Sequence, residues 1–161
     1  MAAATLRPEM VISLLTREFA HIDERKCASE EERAVELRTK IGEALARVTE
    51  NLGEMTPKYR NELINPFFGQ MSHPDELVRC SALSNLGEVC KNLKFSLRGV
   101  VQELFLCLHN AIEFDGSMPV RRAAVLVVKL LLEGLRDASY SEIPKSFDRL
   151  SNPFFVRKVC C

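Results

Sequence analysis

His73-Pro74-Asp75-Glu76-Leu77-Val78-Arg79 opens one helical pattern, and forty-two residues on (73 to 115) Asp115-Gly116-Ser117-Met118-Pro119-Val120-Arg121 opens another. Behind each Val-Arg the apolar positions advance in step. Val78, Ala82, Leu86, Val89 and Leu93 correspond to Val120, Ala124, Val128, Leu131 and Leu135. A weaker copy lies forty-one residues upstream (37 to 78), in Leu37, Ile41, Leu45, Val48 and Leu52, with Arg38 beside Leu37.

A helical unit that recurs every 40–47 residues or so marks HEAT or armadillo repeats. One helix pair cannot bury its own apolar face, but stacked pairs share a continuous core. The expected fold is all-α: a solenoid of about three helix pairs with an irregular C-terminal tail. The pairs fall at 8–52, 57–93 and 96–136, inside a domain spanning 1–137. Such an architecture serves as a binding surface far more often than as an enzyme.

Local signals place the elements. Val11, Leu14, Leu15 and Phe19 give residues 8–22 an apolar stripe, and Pro8 suits a first helical turn. Ser29-Glu30-Glu31-Glu32 reads as a capping box for a helix that ends at Gly53, a C-terminal αL residue. Pro57 opens the next helix, which Pro66 is expected to kink or split. Further helices are expected over 75–93, 96–114 and 119–135. From Ala138 the periodicity stops, and Pro144, Pro153 and scattered polar residues predict a loosely held tail over 138–161.

Ser81 and Glu88 are replaced at equivalent positions by Ala123 and Leu130, so the last helix has apolar flanks. Leu126, Leu130 and Leu132 call for a covering neighbour. The sequence thus reads as a truncated form or fragment of a longer solenoid, able to self-associate through that last helix.

Composition narrows the chemistry. The chain has 161 residues, of which 47% are hydrophobic, enough for one folded core. Lys+Arg and Asp+Glu both number 22, which argues against nucleic acid as a partner. Charged residues interrupt every apolar run long before it could span a bilayer, and the N-terminus lacks a secretory signal. The six cysteines, at 27, 80, 90, 107, 160 and 161, read as reduced thiols in a cytoplasmic protein. His21, His73 and His109 are isolated, and no Cys-x-x-Cys pair exists, so no metal is expected. No glycine run cradles a phosphate, and no cofactor or catalytic residue is assigned. Cys160-Cys161 resembles the ends of prenylated small GTPases, but the fold recognised by their escort system is absent.

Arg122, Lys129 and Lys91 are the candidates for contact with an acidic protein segment. Arg79 and Arg121 read instead as ties between successive repeats, through Asp75 or Asp115.

Specific blocks carry a family likeness. They are Lys40-Ile41-Gly42-Glu43-Ala44-Leu45, Thr56-Pro57-Lys58-Tyr59-Arg60, Ser81 through Cys90, Val120 through Val125, and Leu130 through Leu135. Over roughly residues 30–135 the chain resembles the C-terminal part of the transport and Golgi organization protein 6 family. The resemblance implies a non-enzymatic HEAT-type scaffold for protein secretion and Golgi organization, in contact with secretory-pathway components and associated with endomembranes. A fungal member implies an alternative, an adaptor that contacts RNA polymerase II subunits during their assembly and nuclear import. The family continues past Leu135 with more helices, where this chain carries an unrelated tail. His73 stands where the repeat consensus often has Asp.

Overall fold

The computed structural model describes residues 7–22 and 31–134. The break at 23–29, the first half of the capping box, Leu135 and the 138–161 tail lie outside the described residues, as do Cys27, Cys160 and Cys161.

Six α-helices follow one another: α1 (Pro8–His21), α2 (Glu31–Leu52), α3 (Arg60–Gln70), α4 (Glu76–Leu93), α5 (Val101–Phe114) and α6 (Met118–Gly134). Two 3₁₀ segments, Gly53–Tyr59 and Lys94–Gly99, precede α3 and α5, and the described residues hold no strand. Each odd helix packs on the even helix that follows it, and α4 packs between α2 and α6. The result is an all-α solenoid of two layers, with α2, α4 and α6 stacked side by side.

The repeat explains the core. Val78, Ala82, Leu86, Val89 and Leu93 are all buried, as are Val120, Ala124, Val128 and Leu131. Helix α4 is flanked on both sides, so Leu83, Gly87 and Cys90 are buried as well. A Cβ at Gly87 would stand 3.0 Å from Leu130 Cδ1 and 3.5 Å from Val127 Cγ2, so the bare glycine lets α6 lie close against α4. Gly53 has φ of 53°, a left-handed turn that glycine adopts without a Cβ penalty, and it ends α2 as its position suggested.

Four details depart from the sequence reading. Leu37 is 43% exposed, whereas its neighbour Arg38 is buried. The inward face of α2 runs through Arg38, Ile41, Leu45, Thr49 and Leu52. One residue turns a helix by about 100°, so the face is rotated by that step at its N-terminal end. On α1, Ile12 and Phe19 are buried and Leu14 is exposed, because the helix lies against both α2 and α3. Pro66 neither splits nor ends α3. A proline there removes one backbone hydrogen bond, to the carbonyl four residues back at Glu62, which is an exposed residue. Finally, 96–114 is not one helix. It changes from 3₁₀ to α at Val100, whose φ and ψ are −128° and 0°. Arg60 Nη1 donates to the Ser96 carbonyl at 2.9 Å and holds that junction against α3.

Leu86, at the centre of α4, is fully buried. Leu86→Ala is expected to destabilise the chain by about 2–5 kcal/mol through lost transfer energy and a cavity. Leu37→Ala, at the exposed equivalent of Val78, is expected to stay within about 0.5 kcal/mol. Chemical denaturation of both variants checks the assignment of the faces.

Candidate interaction surface

The densest polar cluster sits where the turn after α3 meets the turn after α5. Arg79, in the first turn of α4, reaches across to Asp115 between α5 and α6. Its Nε donates to Asp115 Oδ2 at 2.8 Å and its Nη2 to Oδ1 at 3.0 Å. Its Nη1 donates to the carbonyls of His73 and Pro74, each at 2.8 Å. The fork geometry is the bidentate arrangement that makes arginine–carboxylate pairs strong and directional. Asp115 Oδ1 also accepts from the Ser117 amide at 2.8 Å, so the same carboxylate starts α6.

Burial by itself would raise the Asp115 carboxyl. The Arg79 hydrogen bonds, the Ser117 amide and the charges of Arg79 and Arg121 outweigh it and hold the group below its ordinary range. The Arg79 guanidinium is shifted up, first by its hydrogen bonds to Asp115. Both side chains are largely shielded from solvent.

Asp75 has a different task. Its Oδ1 accepts from the Leu77 amide at 2.7 Å and its backbone carbonyl from the Arg79 amide at 3.2 Å. It begins α4, while Asp115 supplies the carboxylate for Arg79. Arg121 occupies the same repeat position as Arg79, and its amide donates to the Ser117 carbonyl at 3.1 Å.

Arg122, Lys129 and Lys91 are exposed. Arg122 and Lys129 are seven residues apart on α6 and share a face. Each lysine has an acidic neighbour on its own helix: Lys129 with Glu133 at 3.8 Å and Lys91 with Glu88 at 3.6 Å. That surface carries mixed charge.

A feature that periodicity did not reveal lies in the other layer. Between the C-terminal ends of α3 and α5 runs a cleft of about 500 Å³, lined by Phe68, Met71, His73, Cys107 and Phe114 over the Arg79–Asp115 pair. Phe114 is 78% exposed, and its ring stands edge-on to His109 at 6.3 Å. Its one sequence signal is the aromatic Phe114 at a helix end, off the core stripe. Burial pushes the thiols of Cys90, Cys80 and Cys107 up, most strongly at Cys90. Raised thiols are poor nucleophiles and poor metal ligands. Among the described residues no group of three or more His, Cys, Asp or Glu is placed to hold a metal ion.

Asp115→Asn keeps the shape but removes the charge opposite Arg79. It is expected to cost about 1.5–3 kcal/mol, the range for a hydrogen bond to a charged group. Since folding lowers the Asp115 pKa, its stabilisation is complete above the unfolded value of about 3.9 and fades as pH falls through the folded value. The stability gap between wild type and Asp115→Asn should therefore be full at neutral pH and narrow below pH of about 4. Urea unfolding of both chains across that range measures it.

Comparison with known proteins places this geometry. The chain is 32% identical over 127 residues to Transport and Golgi organization protein 6 of Drosophila melanogaster. That stretch is 78% of this chain and 14% of the relative, so the chain spans about one seventh of that protein's length. No solved structure matches it. Among the described residues, no helix is long and apolar enough to cross a membrane. The model of the Vacuolar 14 Fab1-binding region matches residues 38–133, from the buried face of α2 through the Arg79–Asp115 tie to the last turn of α6, and the chain belongs to that family.

Proposed function

We propose that this chain is a non-enzymatic interaction scaffold acting in protein secretion and Golgi organization. The observation that carries the reading is its identity to Transport and Golgi organization protein 6. The family description, a Fab1-binding region, names a protein-binding role and supports the scaffold class. Physical features agree with it. The stacked helices hold a fixed surface, and loops and outer faces are free to vary on it. We read residues 1–137 as the scaffold unit, with Arg79 and Asp115 as its internal stacking tie. Arg122, Lys129 and Lys91 form the partner-facing part of the second-helix layer. Because acidic neighbours accompany both lysines, the partner segment that suits this layer is amphoteric rather than uniformly acidic. The site of action is the cytoplasmic side of endomembranes.

Proximity labelling with the full chain checks the assignment. Secretory-pathway and Golgi proteins are expected to be enriched, and a variant carrying Arg122→Glu and Lys129→Glu is expected to lose most of that enrichment while keeping its helical content. Enrichment of RNA polymerase II subunits would move the chain to the assembly and nuclear-import role instead.

A further inference from the structure

His73 and Asp115 occupy the same register one repeat apart (73 to 115), and they perform the same local task. Asp115 Oδ1 accepts from the amide of Ser117, two residues on, at 2.8 Å. His73 Nδ1 accepts from the amide of Asp75, also two residues on, at 3.1 Å. The imidazole thus stands where the next repeat uses a carboxylate to turn the chain into its helix. The two are equivalent only while the ring is neutral. An imidazolium carries a proton on each nitrogen and cannot accept, whereas a carboxylate keeps accepting down to about pH 4.

The surroundings give an imidazolium little in return. Asp75 Oδ1 is taken by the Leu77 amide, and both oxygens of Asp115 are taken by Arg79. The carbonyls of Phe67, Gly69 and Gln70, at the end of α3, accept from the amides of Met71, Ser72 and His73. Cys107, across the cleft on α5, has its thiol pushed up by burial and stays uncharged where histidine titrates. Glu76, in the first turn of α4, is exposed to solvent. The nearest cation is a like charge: Arg79 Nη1 sits on the carbonyl of His73 itself, at 2.8 Å. Arg38 of α2 is buried beside Gln70 and Val78, which flank the turn, and Arg121 of α6 adds a further positive charge near Asp115.

This turn carries the tie between repeats. The carbonyls of His73 and Pro74 are acceptors for Arg79 alongside the Asp115 carboxylate, and the same two residues form one wall of the cleft. We propose that His73 is an acid-sensitive joint of the solenoid. Neutral, it closes the α3–α4 turn and keeps Arg79 placed on Asp115. Protonated, it releases the Asp75 amide and slackens the register between α4 and α6. Because the bond to Asp75 exists only with the neutral ring, folding lowers the affinity of His73 for its proton. The stability it contributes is full above the unfolded value of about 6.5 and is lost as pH falls through the folded value.

Nuclear magnetic resonance of the full chain from about pH 8 to about pH 5 tests this. The His73 ring is expected to titrate below about 6.5, and the Asp75 amide to follow the same midpoint and lose protection from exchange. His73→Asn supplies an acceptor that does not titrate, and His73→Ala removes the acceptor at every pH. The urea midpoint of the wild type should therefore fall over this range more than that of either variant. His21 and His109 are present in all three chains, so the difference isolates His73. The ring and amide signals decide the matter on the wild type alone if a variant does not fold. A His73 ring that titrates at or above its unfolded value overturns the proposal. So does an Asp75 amide indifferent to that titration, or a wild type and His73→Asn that lose stability in parallel.

Discussion

Every other element takes its place from the confinement of α4 between α2 and α6. Its buried residues nearly encircle it, from Val78 and Leu83 to Gly87 and Cys90. A helix with so much apolar surface cannot stand alone in water, and it folds only as the middle of a stack. Burial sets that the helices meet, but it is non-directional and leaves their register open. The register is fixed by smaller, directional features. Gly87 lets α6 seat against α4 at short range. Arg79, held by two carbonyls of its own turn, grips Asp115 of the next turn and so aligns one repeat with its successor.

The sequence made the architecture legible because a repeat is an internal experiment in three copies. Positions shared by all copies must serve stacking, and the apolar sets of α4 and α6 are buried as the period requires. The first copy was harder to read. Leu37 and Arg38 are adjacent, and hydrophobicity alone favours the leucine as the inward residue. The structure turns Arg38 inward, beside Phe19 of α1, Phe67 and Gln70 of α3 and Val78 of α4. Pro66 shows a second limit. Proline is unfavourable inside a helix, yet α3 runs through Pro66 from Arg60 to Gln70. The 3₁₀ segment at Lys94–Gly99 shows a third, since Arg60 stabilises it from thirty-six residues away, beyond any local signal.

At the polar cluster, the residue types were legible and the pairing was not. Asp75 and Asp115 both precede a Val-Arg, and sequence cannot say which one serves Arg79. Geometry decides it. Asp75 is four residues ahead of Arg79, and its carboxylate is taken up in starting α4. Asp115 is distant in sequence but adjacent across the stack, where it can meet the guanidinium as a fork. The cleft between α3 and α5 had no periodic signal at all. It exists because the first-layer helices are held through their partners α4 and α6 more than through each other, a tertiary consequence that no stripe of residues encodes.

In such a stack, the contacts that build the protein and those that recruit a neighbour share one chemistry. Arg79 and Arg121 are the same residue in the same frame, and only the first is matched by a carboxylate on a described turn. Stability and association are therefore linked. Each repeat is stabilised by intrinsic terms and by its neighbours, so any contact that packs on α6 also stabilises the α5–α6 pair. Binding at the mixed-charge surface of Lys91 and Lys129 differs in kind. Those side chains are exposed and paired along their own helices, so engaging them leaves the stack unchanged. A partner on that face reads the scaffold without altering its packing.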